Sequence, residues 1–65
     1  MSLGQRIKEE RIKKGLKQSD LAFHCGVSTA MISFIESGEK IPSIALIKAI
    51  SQKLEVSIDY LVGNE

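Results

Sequence analysis

The chain has 65 residues, a net charge of +1 at pH 7, 43% apolar side chains and only three aromatics, two Phe and one Tyr. A chain this short hides only about 60% of its unfolded surface, so it forms one domain around a small aliphatic core, marginal unless well packed or dimeric. The single cysteine, Cys25, excludes an internal disulfide and a multi-cysteine metal site, and it favours a reducing, cytoplasmic setting. No apolar run approaches a membrane span and the N-terminus carries no signal segment. A charge of +1 is too small to point to nucleic acid by itself, so only the placement of charge is informative.

Leu3 to Lys14 reads as the first helix. Leu3 and Ile7, four apart, form an inward stripe that Arg11 extends. Lys13 and Lys14 suit the negative end of the dipole, and Gly15 is a natural stop. Leu16 is expected to pack inward. Helix two opens behind Lys17, which has no acceptor for the first amides, so this end is under-capped by about 1 kcal/mol. Asp20 recovers part of that through the dipole; capping by Ser19, with a shorter helix, is the alternative. Leu21 and Ala22 face inward.

Gly26 marks a tight turn, Val27 is an apolar plug, and Ser28 caps a third helix that runs to about Ser37. Ile32 and Ile35 share its inward face, so Thr29, Ala30, Ser33 and Phe34 point elsewhere. Gly38 stops it. Glu39 to Pro42 form a surface connector, and Ser43 caps helix four, whose apolar stripe is Ile44, Ile47, Ile50 and Leu54. Glu55 and Val56 lead to Ser57, which caps a short fifth helix with Asp59 in its first turn and Gly63 at its end. Four of the five glycines follow helix ends, and no alternating pattern or hairpin dipeptide signals a strand.

Two helices meeting steeply over a glycine turn make a helix-turn-helix. The stretch from Leu16 to Gly63 also resembles the bacterial and phage helix-turn-helix family typified by the Cro and cI repressors, the Xre family. The matching landmarks are Arg11, Gln18, Leu21-Ala22, Gly26-Val27-Ser28, Ile32-Ser33, Ile35-Glu36, Gly38, Pro42-Ser43 and Ser57 to Leu61. The resemblance implies an all-α, five-helix, lambda-repressor-like domain over residues 1–65. It implies double-stranded DNA as partner, transcriptional regulation, most simply repression, and a homodimer reading half-sites about one helical turn, ~34 Å, apart. Lys17 replaces the family's capping hydroxyl. Glu10 stands where the family is apolar and Ile12 where it is polar; a slightly rotated first helix would let the two exchange roles.

In the family the positions of Thr29, Ala30, Ser33 and Phe34 face the major groove. Thr29 and Ser33 can hydrogen-bond to base edges or phosphates, and Ala30 and Phe34 can touch thymine methyls. No Arg, Lys, Gln or Asn lies between Ser28 and Glu36, so DNA shape and methyl contacts are expected to carry much of the specificity. The competing reading packs Met31 and Phe34 under the connector, on Ile41. Lys17, Gln18, Ser19, Lys40 and the amides near Ser43 are the expected phosphate contacts, with Gln18 also bracing the third helix; any one lysine also reads as a solvated charge. Arg11 and Glu36 look like the pair that clamps the reading helix onto helix one, the alternative being a weak solvent pair.

His24 and Cys25 are adjacent and so diverge by about 100° on a helix, as do Glu9 and Glu10. No catalytic set, metal set or phosphate-cradling loop is apparent, so neither enzyme activity nor a cofactor is expected. Val56, Ile58, Tyr60, Leu61 and Val62 exceed what a core of this size should need, and are expected to form a two-fold interface or to lie under a further C-terminal domain. The alternative is that Ile58, Leu61 and Val62 close the monomer core. The competing function is a protein-interaction module, antirepressor or antitoxin-like, using the Ala30, Met31 and Phe34 surface.

Overall fold

Five helices follow one another in the computed structural model, which describes residues 2–63: α1 (Leu3–Lys13), α2 (Gln18–Cys25), α3 (Thr29–Ser37), α4 (Ile44–Leu54) and α5 (Ile58–Val62). Among the described residues there is no strand, and no helix is long and apolar enough to cross a membrane. Ile7, Leu21, Ile32, Ile35, Ile50, Leu54 and Leu61 are fully buried, so every helix sends at least one branched aliphatic into a common core. Each contributes about 1.5–3 kcal/mol by leaving water.

Local chemistry explains the helix boundaries. Ser28, Ser43 and Ser57 cap α3, α4 and α5, accepting the amides of Met31, Leu46 and Tyr60 at 3.1, 3.1 and 3.0 Å. Ser2 and Gln5 form a reciprocal capping box on α1 that the sequence reading missed. Past α2, Gly26 takes a left-handed φ of 69°, a conformation that penalises any residue with a Cβ. The Gly26 amide then donates to the Phe23 carbonyl and the Val27 amide to that of Ala22, which closes the helix-turn-helix corner. Glu55 takes the same place after α4 with φ of 58°, as the one described non-glycine residue with a left-handed backbone.

Several expectations are corrected. Ser19 does not cap α2: the helix begins at Gln18 with Lys17 at its cap and no side-chain cap bond, as expected for lysine, while the Lys17 amide itself donates to Asp20 Oδ2 at 2.8 Å. Ile44 is 74% exposed: at the first position of α4 it precedes the turn that meets the core, and the stripe starts at Leu46 and Ile47. Glu10 and Ile12 do not exchange roles. Ile12 is exposed, and Glu10 stays half-buried because Tyr60 Oη and Lys13 Nζ, each at 3.2 Å, donate to its carboxylate. That arrangement joins α1 to α5 through a polar contact. Burial and the Glu10 bond raise the Tyr60 phenol above its ordinary value, and the same carboxylate raises Lys13.

Candidate nucleic-acid interface

Helix α3 packs against both α1 and α2, and its inner side is held by an ion pair. Arg11 Nε donates to Glu36 Oε2 at 2.7 Å and Nη2 to Oε1 at 3.1 Å, while Nη1 reaches the Leu16 carbonyl at 2.8 Å. The Glu36 side chain is only 3% exposed. A second donor completes it: Gln18 Nε2, from the first turn of α2, lies 3.1 Å from Glu36 Oε1. One carboxylate on α3 is therefore gripped from α1 and α2 together, which fixes the angle and depth at which the helix is presented. Desolvating both charges offsets much of their attraction, so the pair contributes geometry more than stability.

Backbone contact sets the spacing. Gly4 of α1 lies against the end of α3, where a Cβ would stand 2.3 Å from the Ile35 carbonyl oxygen and 2.7 Å from that of Glu36. Only glycine permits this approach. Nothing local in the sequence reveals this partner 31 positions away.

The opposite side of α3 is open. Thr29, Ala30 and Ser33 are exposed, and Phe34 is 38% exposed. Met31 packs against the core as a half-buried side chain. Phe34 does not lie under Ile41, which is exposed. Instead the Glu39 and Lys40 amides both bond to the Phe34 carbonyl, at 2.9 and 3.2 Å, and this turn brings Lys40 Nζ to 5.4 Å from the Phe34 ring centroid. Lys40 is thus anchored at the edge of the exposed face. Lys17 and Ser19 are exposed beside Gln18 at the start of α2. The Ser43 hydroxyl is committed to capping α4.

At the C-terminal end the interface set separates. Leu61 is fully buried, so it closes the monomer core and cannot serve an interface. Val56 and Tyr60 pack against that core. Arg6, another residue the sequence reading missed, secures the last helix: Nη1 donates to the Tyr60 carbonyl at 2.6 Å and the guanidinium lies 5.4 Å from the Tyr60 ring centroid. Only Ile58 and Val62 of the set remain substantially exposed. Cys25 is half-buried against the core, and burial raises its thiol above the ordinary value.

A helix-turn-helix family model matches residues 7–61. The transcriptional regulator SinR of Bacillus subtilis (strain 168) is 39% identical over 64 residues, covering 97% of this chain and 58% of SinR. The immunity repressor of Bacillus phage phi105 is 32% identical over 65 residues, covering all of this chain and 45% of that protein. The chain thus spans about half the length of these curated relatives. Among solved structures, the P22 c2 repressor in complex with a synthetic operator superposes with a TM-score of 0.94 and 34% identity, over 100% of this chain and 98% of that one. SinR in complex with DNA gives 0.84 and 40%, over 91% and 95%.

Proposed function

The chain belongs to the helix-turn-helix family of Xre, Cro/cI-type regulators, and from that premise we propose that it is a transcription regulator, most simply a repressor, which binds double-stranded DNA with α3 in the major groove. One observation carries the reading: the helix whose inner side is locked by Arg11, Gln18 and Glu36 leaves Thr29, Ala30 and Ser33 exposed and Phe34 partly so. A groove about 12 Å wide accepts one helix, and the short side chains of Thr29, Ala30 and Ser33 let it approach the base edges closely. Thr29 and Ser33 supply hydroxyls; Ala30 and Phe34 supply apolar surface for thymine methyls. Without a bidentate reader on this face, DNA shape carries a large part of the selection.

Lys17, Gln18, Ser19, Lys40 and the amides beside Ser43 are the phosphate contacts in this reading. The relatives solved on DNA, P22 c2 repressor and SinR, support the same use of the fold here. The protein acts as a cytoplasmic binding protein rather than an enzyme, and as a homodimer in which Ile58 and Val62 contribute apolar surface to the two-fold contact. Titrating salt against binding to a random-sequence duplex tests the reading. Affinity should fall steeply between 50 and 200 mM salt as counterions are released. No binding at low salt, or a flat response, would instead favour the protein-interaction module.

A further inference from the structure

We propose that Lys8 of α1 heads a recess that takes a phosphodiester oxygen beside the reading helix; the assignment rests on the DNA-binding reading above. The recess, about 160 Å³, is lined by Lys8, Gln18, Ser33, Glu36 and Ser37, so α1, α2 and α3 all contribute to it. That is room for a few waters, each occupying roughly 30 Å³ of liquid, and hence for one phosphate group. All five side chains are polar, so the recess suits a charged or strongly hydrogen-bonding visitor.

Its donors and acceptors decide the sign of that visitor. The Glu36 carboxylate already accepts three hydrogen bonds, from Arg11 Nε and Nη2 and from Gln18 Nε2, and the Arg11–Glu36 pair has no net charge. The Ser37 hydroxyl is engaged with the Phe34 carbonyl and the Glu39 carboxylate, both at 3.1 Å. What remains is the Lys8 ammonium, the Ser33 hydroxyl and the second N–H of the Gln18 amide. These are three available donors with no unneutralised carboxylate on the lining.

Lys8 also differs from the later lysines of its neighbourhood. Lys13 is paired with Glu10 and Lys14 with Glu55, whereas Lys8 has no ion pair among the described residues. Ser33 belongs both to this recess and to the exposed face of α3, so the recess opens where a DNA strand would pass when α3 lies in the groove. Read along the sequence, Lys8 is one more solvated charge; only the packing of α1 on α3 brings it to the reading helix.

The test is duplex binding against salt for the wild type, Lys8→Ala, Lys8→Arg and Lys40→Ala. Lys8→Ala should flatten the log–log salt slope by about 0.9, so that it loses about 3.5-fold less affinity than the wild type across the fourfold change from 50 to 200 mM. The weakening should be equal for all sequences, Lys8→Arg should restore the slope, and the melting temperature should not move because Lys8 is exposed. An unchanged slope in Lys8→Ala beside a flattened one in Lys40→Ala would overturn the recess and leave the DNA reading standing. Equal losses in Lys8→Ala and Lys8→Arg would also overturn it. A wild type without salt-dependent binding would remove both.

Discussion

Arg11 and Glu36, 25 positions apart in sequence, face each other as a two-bond fork with contacts of 2.7 and 3.1 Å, shut away from solvent behind α3. Arg11→Met leaves Glu36 charged, buried and half-partnered, and strands the Leu16 carbonyl. That should cost about 3–5 kcal/mol, a large share of the stability of so small a domain. Adding Glu36→Leu removes the orphaned charge and should recover part of the loss. Thermal melts of the single and double variants check this; equal losses would argue against a buried clamp.

The Gly4 approach gives a second prediction. Alanine is the better helix former by about 1 kcal/mol. At this site its methyl would overlap two α3 carbonyls, and α1 and α3 would have to separate. Gly4→Ala should therefore lower the melting temperature despite the gain in propensity, by the 1–3 kcal/mol typical of overpacking. A higher melting temperature would show that the two helices are not in backbone contact.

Glu55 is the reverse case. Its left-handed backbone costs about 1–2 kcal/mol relative to glycine, and its solvent-exposed pair with Lys14 returns little. Glu55→Gly should raise the melting temperature by a few degrees in high salt, where the pair is screened. The Lys14 bond holds the Glu55 carboxyl below its ordinary value of 4.5. A lowered folded pKa means that the pair's small contribution is present above pH 4.5 and lost as pH falls through the lower folded value, so the advantage of glycine should widen in acid. A drop in melting temperature at high salt would contradict the strain at Glu55.

Cys25 offers a chemical check. Burial raises its thiol above 9.0, so less of the reactive thiolate is present in the folded chain at pH 8 than in the unfolded one. The sign for stability follows: the contribution is intact below pH 9.0 and fades as pH climbs through the folded value, because the unfolded thiol ionises first. Iodoacetamide should label the native protein more slowly than the denatured protein. Equal rates would mean that Cys25 is not packed against the core.

The sequence made the helix ends legible because capping is local: a serine at 28, 43 or 57, or a glycine at 26 or 38, does its work within a few residues. The inward faces of α2 and α3 were legible from spacing for the same reason. What escaped depends on distant partners. Glu10 looked misplaced until Tyr60, 50 positions on, supplied its hydrogen bond. Gly4 and Lys8 gained meaning only from the packing of α1 on α3. Ile44 looked like core because its spacing fits the stripe, yet the helix begins there before it reaches the other elements. Leu61 could be counted as surplus only while the core it fills was unseen.

The central claim is that the open side of α3 reads DNA sequence, and selection of bound sites from a random duplex library tests it most directly. The wild type should enrich one short motif, repeated about 10 base pairs apart if two copies bind together. Thr29→Ala or Ser33→Ala should change the enriched bases, while Lys40→Ala should lower recovery without changing them. A library that enriches nothing, or a motif that survives Thr29→Ala and Ser33→Ala but shifts with Lys40→Ala, would contradict the account.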